Sequence, residues 1–182
     1  MKGGELIFTE DLLKKRILFI EGFIDDELVE KISKMIIWLN SQNTNEITLY
    51  INSDGGNIQA GFSLYDIIKF SEAPVTGIVL KSASSMMLAA LQGCKVRKAL
   101  VHSFFAFHNL IFRKEITCKS EADVRLAIEE LKLLQEEYNQ IIGARIIGGA
   151  EKVKELCEKK MVLTAQEAKS ICLIDEIITM KK

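Results

Sequence analysis

Ile51-Asn52-Ser53-Asp54-Gly55-Gly56 closes an apolar strand, and Ser82-Ala83-Ser84-Ser85-Met86-Met87 opens an apolar helix. In each stretch small residues stand where a strand turns into a helix. Turns of this kind belong to strand–helix units with a parallel sheet, whose ligands bind beyond the carboxyl ends of the strands. The second stretch also sets hydroxyls at a helix N-terminus. There they lie beside N–H groups with no intrahelical partner and the positive end of the helix dipole. Such a setting can hold an oxyanion. Serine hydrolase chemistry then needs a base, and the chain has two histidines. His108 follows the apolar strand Phe104–Phe107 and is the favoured base; His102 is the fallback.

Outward from these stretches the pattern alternates. Arg16–Ile20 reads as a buried strand leading through Glu21-Gly22 to a helix with Asp25 as N-cap and Leu28, Ile32, Met35, Ile36 and Leu39 on one face. Ile47–Ile51 is a second strand, and Asn57 can cap a helix carrying Ile58, Phe62, Leu64, Tyr65 and Ile68. Val75–Leu80 is a third strand, Ser85–Leu91 a short buried helix, and Val96–Val101 and Phe104–Phe107 add strand character. The order strand–helix–strand–helix–strand–helix predicts an α/β fold with right-handed crossovers. Pro74, the single proline, falls at a helix-to-strand joint.

From Ser120 the character changes. Ser120-Glu121-Ala122-Asp123 resembles a capping box, and a long charged helix follows to about Ile142. Val124, Ala127, Ile128, Leu131, Leu134, Tyr138 and Ile141 form its apolar stripe. Leu126 and Leu133 lie off that stripe, giving more apolar surface than one contact face needs. The pattern predicts packing on two sides, with a second subunit as one of them. Thr164-Ala165-Gln166-Glu167 is another capping box, opening a short helix before the strand Leu173–Ile178.

Composition narrows the function classes. At 182 residues the chain reads as one domain, 1–182, with a substantial core. Its net charge of −1, with both signs interleaved, gives no electrostatic case for nucleic acid. No apolar run is long enough for a membrane span, and Met1-Lys2-Gly3-Gly4-Glu5 does not read as a signal peptide. Cys94, Cys118, Cys157 and Cys172 are widely spaced and form no metal pattern. They read as single reduced thiols, which places the chain in the cytoplasm.

These segments together resemble the proteolytic subunit of the Clp protease, the ClpP family, over nearly the whole length. The resemblance rests on Arg16–Ile20 through Asp25-Asp26, on Leu49–Gly56 with Ala60-Gly61 and Tyr65-Asp66, and on Ala83-Ser84-Ser85-Met86. Phe107-His108-Asn109, then Leu163–Ala168 with Leu173-Ile174-Asp175, complete it. It implies a ClpP/crotonase-like spiral of strand–helix units with a protruding long handle helix. It also implies a serine endopeptidase with Ser85 as nucleophile, His108 as base, and Gly56 and Met86 giving the N–H groups of the oxyanion hole. Two stacked seven-membered rings would enclose unfolded polypeptide delivered by a separate AAA+ unfoldase. Tyr50, Ile78 and Leu80 match its docking positions. No metal or cofactor is implied.

Several positions depart from the family. Asp54 replaces the usual proline, Ser84 stands where alanine is commoner, and Asn109 follows His108 where Gln-Pro is usual. Fifteen residues precede Arg16, so the axial gate is expected to be shortened or absent. Most consequential, the position of the triad aspartate is Lys160, which cannot accept the histidine's N–H. Glu158 taking the role, an acid from elsewhere, a Ser-His dyad and a catalytically silent structural subunit all remain open. Retention of Ser85 and His108 speaks against the last. An acyl-CoA enzyme of the crotonase fold is a further alternative, for which the chain is short and carries no adenine-nucleotide signature.

Overall fold

A computed structural model describes residues 10–111 and 120–179; Cys118 and the N-terminal segment lie outside the described residues. Among the described residues seven strands form one sheet: β1 (Ile17–Ile24), β2 (Ile47–Gly56), β3 (Val75–Ser84), β4 (Val96–Leu100), β5 (Phe104–Ala106), β6 (Val162–Thr164) and β7 (Glu176–Ile178). Beyond a helical stretch over residues 10–14, the helices among the described residues are α1 (Asp26–Gln42), α2 (Ile58–Phe70), α3 (Met86–Gln92), α4 (Glu121–Gly143), α5 (Gly149–Glu158) and α6 (Ala165–Ser170). The path β1-β2-β3-β4-β7 is parallel throughout, as the strand–helix alternation predicts.

The caps read from the sequence hold. Asp25 accepts from the Leu28 N–H, Asn57 from Gln59 and Ala60, and Ser120 from Asp123. Thr164 and Glu167 form a reciprocal capping box. Helix α1 buries Val29, Ile32, Ile36 and Leu39, and α2 buries Ala60, Leu64 and Ile68. Every residue of α3 is buried.

Strand lengths differ from the sequence reading. β1, β2 and β3 run on to Ile24, Gly56 and Ser84, because after a register shift Phe23 and Ile24 pair with Gly55 and Gly56, and Ser53 pairs with Ala83. β7 is short, and the Leu173-Ile174 part of the expected strand is bend rather than strand. Helix α5 and strand β6 are additions that the sequence reading lacked.

A fork in the sheet positions the site. The first half of β3, Thr76–Val79, pairs with β4, whereas Ser82–Ser84 pair with β5. Ser103 marks the parting, its hydroxyl donating to the Val79 carbonyl at 2.8 Å. β5 then pairs antiparallel with β6. The chain around His108 is thereby carried to the same end of β3 as Ser85. The C-terminal segment is anchored by Arg97, 3% exposed, whose guanidinium and main-chain N–H bind the Asp175 carboxylate. Burial works against that carboxylate, but its bonds to Arg97 outweigh it and hold the Asp175 pKa below its ordinary value.

Candidate active site

Ser85 joins β3 to α3 with φ +51° and ψ −128°, a conformation that non-glycine residues seldom adopt. Such a residue persists only when its surroundings fix it. Here the Ser85 N–H donates to the Ala106 carbonyl at 3.1 Å. The Ser85 carbonyl accepts from the Leu88 N–H at 2.9 Å and from the Tyr138 hydroxyl at 3.2 Å. Tyr138 is wholly buried, and burial pushes its pKa well above the ordinary value, so it stays a neutral donor. Although Ser85 holds the N-cap position of α3, its side chain makes no capping bond. The hydroxyl is thus left for other work.

Glycines let the neighbouring chain approach. A Cβ on Gly55, at φ +96°, would lie 2.7 Å from Ser85 Cβ and 2.8 Å from the Ser84 carbonyl oxygen. One on Gly61 would lie 2.6 Å from Met86 Cβ. The turn itself is tied down by Ser53, which donates to the Gly22 carbonyl and accepts from the Gly55 N–H at 3.1 Å. Beside it, the Ser82 hydroxyl donates to Asp54 Oδ1 at 2.8 Å. Gly55→Ala is expected to abolish hydrolysis while the protein still folds, because the methyl group would press Ser85 out of place. Retained turnover in a peptide assay would contradict this.

Gly55, Gly56, Ser85 and His108 all line one cleft of about 870 Å³. Ile58, Leu110, Ile111 and Leu134 add apolar surface, and Asp54 and Lys81 add charge of both signs. Met86, the other expected oxyanion donor, is fully buried and is not among the residues that line the cleft. Ser84 is buried in the β5 pairing, and His102 is exposed outside the cleft.

His108 lies two residues beyond β5, half-buried, with Nδ1 2.7 Å from the carbonyl oxygen of its neighbour Asn109. No hydrogen bond joins it to Ser85. Catalytic hydrogen bonds are often long before substrate binds, so this separation does not disqualify the pair. The β5–β6 register runs from Phe104↔Thr164 to Ala106↔Val162, and the Phe107 N–H continues it to the Met161 carbonyl at 2.8 Å. Lys160 comes next, but there the chain turns out of the ladder, its N–H donating to the Cys157 carbonyl at 3.1 Å. Lys160 is exposed with φ +50°. No hydrogen bond or ion pair joins Glu158 to His108. Glu158 is exposed at the end of α5 and lines a separate hollow with Asn109, Lys132 and Lys154.

Tyr138 is the site residue that sequence reasoning missed, having read it only as part of an apolar stripe. Its hydroxyl was the available signal, because a buried tyrosine needs a hydrogen-bond partner. Gln135 is a second such residue, accepting from the Leu110 N–H at 2.7 Å and so tying the chain after His108 to α4.

Tyr50 and Ile78 are neighbours across the sheet, with Phe19 beyond them, and all three are at least partly exposed. The rings of Phe19 and Tyr50 stack with centroids 5.3 Å apart. Leu80 is half-buried two residues further along β3.

A ClpP1 mutant from Listeria monocytogenes has the same fold, with a TM-score of 0.85 at 24% identity, covering 96% of this chain and 97% of that one. This likeness establishes the α/β spiral with its long handle helix. The family model described as Clp protease matches residues 3–181, nearly the whole length. The chain therefore belongs to the Clp protease family.

Proposed function

We propose that this chain is a serine peptidase subunit of a ring-shaped, self-compartmentalising protease, with Ser85 as nucleophile and His108 as base. The observation that carries the reading is Ser85 itself. Its backbone is fixed from three sides in a rare conformation, and its hydroxyl makes no capping bond and opens onto a cleft shared with His108. In acylation the Ser85 Oγ–H proton passes to His108 Nε2 as Oγ bonds the peptide carbonyl carbon. The displaced electron pair forms an oxyanion facing the main-chain N–H groups of Gly56 and Met86. Collapse breaks the C–N bond, and the leaving amine takes the proton from Nε2. Water then repeats the sequence on the acyl-enzyme.

A serine-directed fluorophosphonate tests this directly. Peptide mapping should find the label on Ser85. Label on Ser84, or undiminished labelling of Ser85→Ala, would remove the assignment.

Assembly into two stacked seven-membered rings is part of the proposal. Leu126 and Leu133 are 65% and 73% exposed on α4, and Val124 and Ile128 are exposed as well, an apolar surface that suits another subunit. Changing Leu126 and Leu133 to Glu should shift light scattering toward small species while circular dichroism stays unchanged. Scattering from the unaltered protein that gives a monomer at micromolar concentration would contradict ring formation. Tyr50, Ile78 and Leu80 are proposed to receive a loop of an AAA+ unfoldase that delivers unfolded polypeptide. A cytoplasmic location suits Cys94, Cys157 and Cys172, which are all unpaired thiols. No observation favours the acyl-CoA alternative.

A further inference from the structure

We propose that the main-chain carbonyl of Asn109 does for His108 what a triad carboxylate does elsewhere: it holds the imidazole in the tautomer that can act as base. The inference rests on the peptidase reading above and adds the missing third member. A histidine opposite a serine nucleophile must keep its proton on one ring nitrogen and offer the lone pair of the other. The structure sets the Asn109 carbonyl oxygen 2.7 Å from His108 Nδ1. A carbonyl oxygen only accepts, so the contact requires the proton on Nδ1 and frees Nε2 to take the serine proton.

The alternatives are disposed elsewhere. Among the described residues, no hydrogen bond or ion pair joins a carboxylate to His108. Glu158 lines the neighbouring hollow, and Lys160, which stands in the sequence where the family has its acid, offers an ammonium, a donor only. The carbonyl is also held in place. The Leu110 N–H, in the peptide unit that carries this carbonyl, donates to Gln135 on α4, and Gln135 in turn donates to Asn139 at 2.9 Å. That peptide plane is fixed from its other edge. A neutral dipole orients the ring without supplying the full negative charge of an aspartate, so the site gains the right tautomer and a smaller stabilisation of the imidazolium.

The chain's two histidines make the test tractable. Protein labelled with 15N-histidine, assembled as it is purified, is measured by solid-state NMR at alkaline pH, where imidazoles are neutral. His102→Gln assigns the signals. The expected result is a His108 ring protonated at Nδ1 and bare at Nε2, both in the parent and in Glu158→Gln. Peptide turnover of Glu158→Gln should stay within about twofold of the parent, since the carboxylate is not used. A His108 ring protonated at Nε2 would overturn the assignment. So would a Glu158→Gln variant that loses the Nδ1 tautomer and its turnover together, because Glu158 would then be the acceptor. Failure of the fluorophosphonate to label Ser85 would instead sink the peptidase reading, whatever the spectrum shows.

Discussion

Ser85→Ala should lose peptide hydrolysis by about 10⁴-fold or more, with folding and assembly unchanged. The size follows from the role. Removing the hydroxyl removes the covalent route entirely, and leaves only the oxyanion donors and the cleft to favour attack by water. Because the Ser85 side chain makes no capping bond, alanine should cost the helix little. The circular dichroism spectrum and the mass in solution should therefore match the parent, and turnover of a fluorogenic peptide is the quantity that falls. Substantial residual turnover would show that the nucleophile lies elsewhere.

Lys160→Asp should move the other way, raising peptide turnover by at least roughly tenfold. In serine proteases of known mechanism, neutralising the acid lowers turnover by about 10⁴, because the ring loses both its tautomer and a counter-charge. Here the Asn109 carbonyl already supplies the tautomer, so an added carboxylate contributes mainly the counter-charge. Residue 160 directly precedes Met161, whose carbonyl accepts from the Phe107 N–H next to His108, so a carboxylate there would add its charge without displacing the Asn109 contact. The lysine also carries a positive charge on the segment that meets the His108 strand, which disfavours an imidazolium there, an effect that water screens at this exposed position. An unchanged rate for Lys160→Asp, with Glu158→Gln inactive, would instead identify Glu158 as the acid.

The legible parts of the fold were those with strong local chemistry. Asp25, Asn57, Ser120 and Thr164 were readable because each side-chain oxygen can satisfy a helix N–H only at that position. Helix α5 escaped because it starts on Gly148 and Gly149, both at positive φ, with no side-chain cap and a largely charged sequence. Strand β6 is three residues long with Val162 and Thr164 exposed, too short for a period to show. Strands β2 and β3 outran their apolar patterns because ladder partners, not side chains, fix where they end.

The site followed the same division. Ser85, Gly55 and Gly56 were readable because they are local to one turn. The companions of His108 depend on the fork of the sheet and on how β5 meets β6, relations between distant segments that no single stretch encodes. Sequence register alone did single out Lys160, but it could not show that Glu158 opens onto a different hollow.

The left-handed backbone of Ser85 carries one more consequence, for the trade between activity and thermal resistance. Residues held at such angles cost on the order of 1–3 kcal/mol, and glycine adopts them freely. Part of that relief is lost again, because glycine has more freedom to surrender on folding, about 0.5–1 kcal/mol. Ser85→Gly should then be inactive yet melt about 2–4 °C above Ser85→Ala if the net gain is about 1 kcal/mol. Alanine remains strained at this point where glycine does not. The nucleophile turn would be a place where this protein has given up heat tolerance to keep its chemistry.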